Sequence, residues 1–350
     1  MKRIVFMLLI VNALTSCTAN KNLVVNSQFS KITLDTLLNE KISCRALSID
    51  GNKVWFAANN GKYGYAVLDS KKNFIGEIAK ENLKLEFRSI AQTSKYIFIL
   101  SVANPGLLYR IAKDSGDSKL VYEERSEKVF YDSMQFFNDL EGIAIGDPTE
   151  ECPSIIKTHD GGVTWQKLPC TTLPKFTDGE AFFAASNTNL IVRNNEVWMV
   201  SGGKKSKVYH SKDKGNTWTA FETPILQGQA MTGAFCADFY DEKIGVIAGG
   251  NYEKPDQNFQ NKALTTDGGK TWKLIAENQG FGYASCVQFF PNSGGKSIIS
   301  VGASGVYYTR NSGETWEQLA PDKDFLTIRF IDDKTAVAAG KNRIVRINFK

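Results

Sequence analysis

The chain has 350 residues, of which 42 are Lys or Arg and 37 are Asp or Glu, so its formal charge is only +5. The basic residues are scattered, which argues against the basic stripe that nucleic acid requires. Its longest apolar run falls short of 18 residues, so no membrane-spanning helix is expected, and the length allows one large or two ordinary domains.

Lys2-Arg3 and the apolar stretch Ile4 to Leu14 read as a targeting signal. The stretch ends at Leu14-Thr15-Ser16-Cys17. This resembles a bacterial lipobox, in which the Cys is lipidated and becomes the new N-terminus. The resemblance implies a signal peptide over 1–16, lipid on Cys17, and a polar tether over 17–30. Thr18, rather than Asp, follows the Cys, which implies an outer-membrane anchor facing the periplasm or cell surface. An ordinary secretory signal cut nearby is the alternative. Without Lys2 and Arg3 the balance is 40 basic against 37 acidic residues, or +3.

Residues 31–350 carry a repeat. Leu68-Asp69-Ser70 and Ala112-Lys-Asp114-Ser-Gly116 are its decayed copies. The full copies are Thr158-His-Asp160-Gly-Gly162-Val-Thr164-Trp165, Ser211-Lys-Asp213-Lys-Gly215-Asn-Thr217-Trp218 and Thr265-Thr-Asp267-Gly-Gly269-Lys-Thr271-Trp272. A last copy, Thr309-Arg-Asn311-Ser-Gly313-Glu-Thr315-Trp316, replaces Asp with Asn. From Asp69 onward the spacings are 45, 46, 53, 54 and 44 residues, the period of a four-stranded blade. Asp closes a tight turn onto backbone amides, Gly supplies a positive φ, and Thr-Trp opens a strand.

The pattern resembles the Asp-box of sialidases and of many non-catalytic β-propellers, where the box is structural. Strands over Phe325–Ile331, Thr335–Ala339 and Arg343–Phe349, completed by Ile32–Leu38 from the N-terminal end, would make a seventh unit. The expected fold is all-β: a seven-bladed propeller of four-stranded antiparallel blades, closed by the N-terminal strand.

Aligned inner strands begin Cys44-Arg45, Phe87-Arg88, Tyr131-Asp132 and Gly179-Glu180, and the next three put Phe235, Ser285 and about Leu326 at the same point. Arg45, Arg88, Asp132 and Glu180 are therefore expected to face one another at one mouth of the channel. The Arg pair suits a planar anion, and the carboxylates suit hydroxyl or amine hydrogens. A structural ring of Arg–acid pairs is the alternative. Long loops on that face, Asp147–Cys152, Thr171–Gly179, Thr223–Gly233 and Asn251–Asn261, are where binding is expected. Tolerated surface insertions would read the same way.

Cys152 and Cys170 flank the first full box and suit a cross-strand disulfide, although free thiols remain open. Cys44, Cys236 and Cys286 read as core. His159 and His210 sit beside boxes, and the sequence offers no metal cluster. A phosphate-binding Gly-rich loop before a helix is also absent, and no cofactor is expected.

Several of these segments, with Gly142-Ile-Ala-Ile-Gly146-Asp147-Pro148 and Gly179-Glu180-Ala181-Phe182-Phe183-Ala184-Ala185-Ser186, resemble a bacterial family of Asp-box (BNR-type) seven-bladed propeller lipoproteins. That family is similar to the photosystem II stability and assembly factor propellers, which bind a partner protein. Its members are often labelled oxidoreductase or glycosyl hydrolase. The resemblance implies a monomeric, non-catalytic propeller that binds a protein, peptide or glycan at the channel mouth. The alternative is a sialidase-like hydrolase of an anionic glycan, with Asp132 and Glu180 as its carboxylates and Arg45 and Arg88 as its clamp. Against a sialidase, Tyr109-Arg110-Ile111-Ala112 lacks the Pro of its Arg-Ile-Pro motif.

Overall fold

The computed structural model describes residues 29–350. The expected signal, Cys17 and most of the tether lie outside the described residues. Among the described residues the regular structure is β-strand, with one 3-10 turn at Cys170–Thr172.

Central strands such as Gly142–Gly146, Ser154–Thr158 and Gly245–Asn251 are buried on both faces, outer strands such as Gln166–Lys167 are exposed, and consecutive strands pair antiparallel. One four-stranded sheet joins Phe87–Gln92, Tyr96–Ser101, Gly106–Ala112 and Ser118–Glu124. The next joins Tyr131–Phe136, Gly142–Gly146, Ser154–Thr158 and Gln166–Lys167. Leu190–Arg193 leads a third, and Ala284–Phe289 leads a fourth. The inner strands stand side by side in a ring. Phe87–Gln92 packs between Ile32–Asp50 and Tyr131–Phe136, and Phe325–Phe330 closes back onto Ile32–Asp50.

Among the described residues there are six hydrogen-bonded sheets, where seven blades were expected. The reason is the closure. Ile32–Asp50 is one continuous strand: its first half pairs with Arg343–Phe349 and its second half with Lys53–Ala58. Thr335–Phe349 doubles back on itself, because the Phe349 amide donates to the Lys334 carbonyl at 2.9 Å. One six-stranded sheet therefore runs from Phe325 through the chain ends to Glu77. Phe29, expected in the tether, is buried and stacks on Phe290 with centroids 5.2 Å apart.

A second correction concerns the fourth inner strand. It was expected to start at Gly179-Glu180. Glu180–Ala181 instead pairs with Gly202–Gly203, which joins the next sheet through Gly233. The inner strand proper begins ten residues later, at Leu190.

The repeated turns clip neighbouring sheets together. In the first, Asp160 Oδ1 accepts from the Val163 and Thr164 amides, both at 3.0 Å, and Oδ2 accepts from the Thr164 hydroxyl at 2.7 Å. Gly162 has φ +75°, and a Cβ there would run into the Phe98 ring of the preceding sheet. Trp165 packs in the same cluster as Phe98 and Phe136. Trp218, Trp272 and Trp316 likewise join clusters that contain residues of the sheet before their own. Asp213 and Asp267 repeat the bonds, and Asn311 keeps the Thr315 amide bond at 3.1 Å. Each clip thus couples a local turn to inter-sheet burial, where one aromatic ring contributes about 1.5–3 kcal/mol.

Candidate functional site

The ring of inner strands is filled from within. After Glu180–Ala181 the chain leaves its sheet, and residues 182–189 cross the centre. Ser186, Asn187, Thr188 and Asn189 are all buried. Such polar residues survive burial only with partners, and the inner strands provide them from several directions. Arg45 Nη1 donates to the Ala185 carbonyl at 3.1 Å. Asn187 Nδ2 donates to the Ile90 carbonyl at 2.8 Å, and Asn187 Oδ1 accepts from the Met134 amide at 3.0 Å. Ser133 Oγ donates to Asn189 Oδ1. The Ala237 amide donates to the Thr188 carbonyl at 2.8 Å. Thr327 Oγ1 and Arg329 Nη2 donate to the Ser186 carbonyl at 3.2 and 3.0 Å.

This plug floors a cavity of ≈ 380 Å³ at the mouth. Of the residues expected there, Arg45, Arg88, Asp147 and Phe235 line it. Ser285 does not: it is fully buried, and its hydroxyl donates to the Ala185 carbonyl at 3.2 Å, so it supports the floor. The cavity wall also contains Phe183, Tyr252 and Tyr283, together with Ala230 and Met231 from the long Thr223–Gly233 loop. Phe183 and Phe235 are stacked with centroids 3.8 Å apart, and Tyr283 meets Phe235 edge-on at 4.9 Å. Of this aromatic wall, only Phe235 falls at a mouth position by strand register. The available signal was the aromatic content of the long loops and of the Phe182-Phe183 pair.

Charge at the mouth is unevenly paired. Arg88 is held by Glu86, with Nε and Nη2 at 2.8 and 2.7 Å from Oε1. Arg45 has no ion-pair partner among the described residues, and its Nε lacks a hydrogen-bond partner. Burial and the neighbouring Arg88 lower its pKa from the usual guanidinium value. Asp147 Oδ1 accepts from the Phe182 amide at 2.7 Å. Burial nevertheless pushes its carboxyl up to about 7. Asp132 lies behind, fully buried, with neither oxygen hydrogen-bonded. Burial and then Asp147 push it well above the carboxylate range, against the pull of Arg88.

Glu180 faces elsewhere. Its side chain is 0% exposed and ion-pairs with Lys207 at 3.1 Å. It also accepts from Ser201 and Tyr209, both at 2.6 Å, and from the Thr177 amide at 3.0 Å. Asp132 and Glu180 do not share the mouth cavity. Glu180 instead lines an adjoining groove of ≈ 580 Å³ that also includes Asp147, Glu150, Asp178 and Lys128. Cys152 and Cys170 are joined by a disulfide, Cα atoms 5.6 Å apart, which ties the Asp147–Cys152 loop to the segment forming the groove's other wall. Cys44, Cys236 and Cys286 are buried free thiols. His159 is exposed, and His210 stacks on Trp198 and bonds to Glu196 at 2.7 Å. Among the described residues no group of three His, Cys, Asp or Glu side chains could hold a metal ion.

No family model matches the chain, and no curated protein matches it. Solved structures do. YCF48 bound to D1 peptide superposes with a TM-score of 0.64 at 12% identity, over 93% of this chain and 98% of that one. YCF48 from Cyanidioschyzon merolae gives 0.64 at 10% identity, over 91% and 98%. The structure of U3-55K gives 0.63 at 14% identity, over 91% and 98%. At such identities the likeness speaks to fold alone, and that fold is an all-β propeller of four-stranded antiparallel blades.

Proposed function

We propose that the chain is a non-catalytic binding propeller that captures a peptide or protein segment bearing a carboxylate at the mouth cavity. The observation that carries this reading is Arg45, a half-buried guanidinium lining the cavity without an ion-pair partner among the described residues. A planar cation in that state gains most from a bidentate anion. The stacked aromatic wall adds apolar area for the rest of the segment. A peptide is favoured as ligand class because one similar propeller was solved with a peptide bound.

We read the fold as seven blades, with the six-stranded closure sheet counted as two. The hairpin return of Phe349 to Lys334 and the split pairing of Ile32–Asp50 support that count. The acidic turns support kinship with Asp-box propellers. Lipid on Cys17, with an outer-membrane address and a monomeric state, rests on the sequence alone; loss of membrane association in Cys17→Ser would test it.

A glycan is the competing ligand. Its hydrolysis by Asp132 and Glu180 gains no support from the geometry, since four groups already occupy the Glu180 carboxylate. The deciding experiment screens the purified protein on peptide and glycan arrays beside Arg45→Ala. Carboxylate-bearing peptides should bind, and Arg45→Ala should weaken them about tenfold or more. Glycan cleavage that disappears in Glu180→Gln would overturn the binding reading.

A further inference from the structure

The mouth cavity carries opposite charges at the two ends of one short stretch of chain. Asp147 grips the Phe182 amide and Arg45 grips the Ala185 carbonyl. These points are the two ends of a four-residue segment, so they lie within about 14 Å of each other even if the chain is fully extended. Neither side chain has an ion-pair partner among the described residues; Arg88, the other cation of the cavity, is already held by Glu86. An anion on Arg45 would therefore leave Asp147 unanswered.

A second observation points to the same wall. Asp132, in electrostatic contact with Asp147, is fully buried with both carboxyl oxygens unbonded. Native proteins rarely leave such a group without a partner, and this one lies behind the cavity wall, not on it. The groove on the far side of Asp147 adds Glu150 and Lys128, together with Asp178, which Lys204 pairs at 3.3 Å. Acidic side chains thus lie behind Asp147 and to its side.

We propose that the cavity takes a dipolar ligand, with a carboxylate on Arg45, a primary ammonium on Asp147, and an apolar spacer along Phe183, Phe235 and Tyr252. This rests on the carboxylate reading above and adds its cationic half. A metal ion would need more ligands than this wall offers, whereas an ammonium needs only a carboxylate and can keep some of its water. A free ω-amino acid and a chain-terminal lysine share this chemistry.

Calorimetric titration of the full-length protein with 6-aminohexanoate, hexanoate and hexylamine tests the proposal. 6-Aminohexanoate should bind about tenfold more tightly than hexanoate. Asp147→Asn should erase that preference while keeping hexanoate binding; Arg45→Ala should weaken both acids. Nα-acetyl-lysine separates the sources: binding as tight as 6-aminohexanoate indicates a chain end, and weaker binding a free amino acid. The wild-type comparison needs no variant to fold. Equal affinity for the two acids overturns the dipolar ligand and leaves the carboxylate reading standing. Failure of both acids to bind overturns both.

Discussion

Arg45 and Ala185, 140 residues apart in the chain, are joined across the mouth by a hydrogen bond of 3.1 Å. The bond makes the anion-seeking side chain also a strut of the plug. Recognition and hub packing are therefore one network. Another anchor of the plug is Asn187, at φ +58°. Asn187→Ala would strand the Ile90 carbonyl and the Met134 amide in the interior and would strain the backbone. The expected loss is about 2–5 kcal/mol, read as a lower urea midpoint. Asn187→Gly loses the same bonds but tolerates the positive φ, so it should fall short of the Ala variant. Equal stability of Asn187→Ala and wild type would mean that the plug is not held through this residue.

Glu180 is expected to matter for stability and not for the ligand. Its carboxylate and Lys207 are 0% and 14% exposed. Breaking a buried pair from one side costs about 3 kcal/mol or more. Glu180→Gln should lower the unfolding midpoint accordingly while leaving peptide affinity at the mouth within about twofold. A variant of normal stability that no longer binds would move Glu180 into the ligand site.

Asp147 and Asp238 should favour the acid side of neutrality, against the opposite pull of His210, which burial holds below the usual imidazole value. Burial holds Asp147 up to about 7, and burial, opposed by the Phe289 amide and Arg193, holds Asp238 up to about 6. A carboxyl whose folded pKa is raised contributes stability that is complete below its unfolded pKa, near 4, and lost as pH rises through the folded value. The turn residues act in the opposite sense. Burial raises Asp213 and Asp267, but hydrogen bonds from Thr217 and Thr271 outweigh it, and both fall to about 2. Their contribution is present above about 4 and disappears as pH drops toward 2. Calorimetric Tm should therefore be higher at about pH 5 than at about pH 8, and Asp147→Asn should flatten the decline. A Tm that rises from pH 5 to 8 would contradict the raised carboxyls.

Asn311 is the one turn residue of its set that donates. Its Nδ2 bonds to the Thr315 hydroxyl at 3.0 Å, whereas Asp160, Asp213 and Asp267 accept from the equivalent Thr. Asn311→Asp restores a charged acceptor and should stabilise by about 0.5–1 kcal/mol near pH 7. The gain should vanish once the new carboxyl is protonated. No gain at any pH would show that charge is irrelevant to these turns.

The turns were legible because their chemistry is local: Asp160, Gly162 and Thr164 meet within five residues. Arg45, Arg88 and Phe235 were legible because strand register carried them to a common mouth, and Asp147 because it opens a long loop on that face. Glu180 was misplaced because register fails where a strand is interrupted, and nothing local announces that the inner strand resumes at Leu190. Ser186-Asn187-Thr188-Asn189 is polar throughout and carries no apolar pattern that would announce burial. Its burial depends on Ile90, Met134, Ser285 and Thr327, partners 53 to 141 residues distant. Such pairing has no short-range signature. The sheet count differed for a related reason, since two strands belonging to opposite ends of the chain merge into one ladder.

That ladder has a mechanical corollary. The Lys31 amide donates to the Lys350 carbonyl and the Lys350 amide to the Lys31 carbonyl, at 3.1 and 2.9 Å. Pulling residue 30 outward would load the rungs between Ile32–Asn39 and Arg343–Phe349 first, so this seam is where the ring would open under tension. A circular permutant that splices Lys350 to Ser30 through a few glycines would convert the seam into a covalent hairpin.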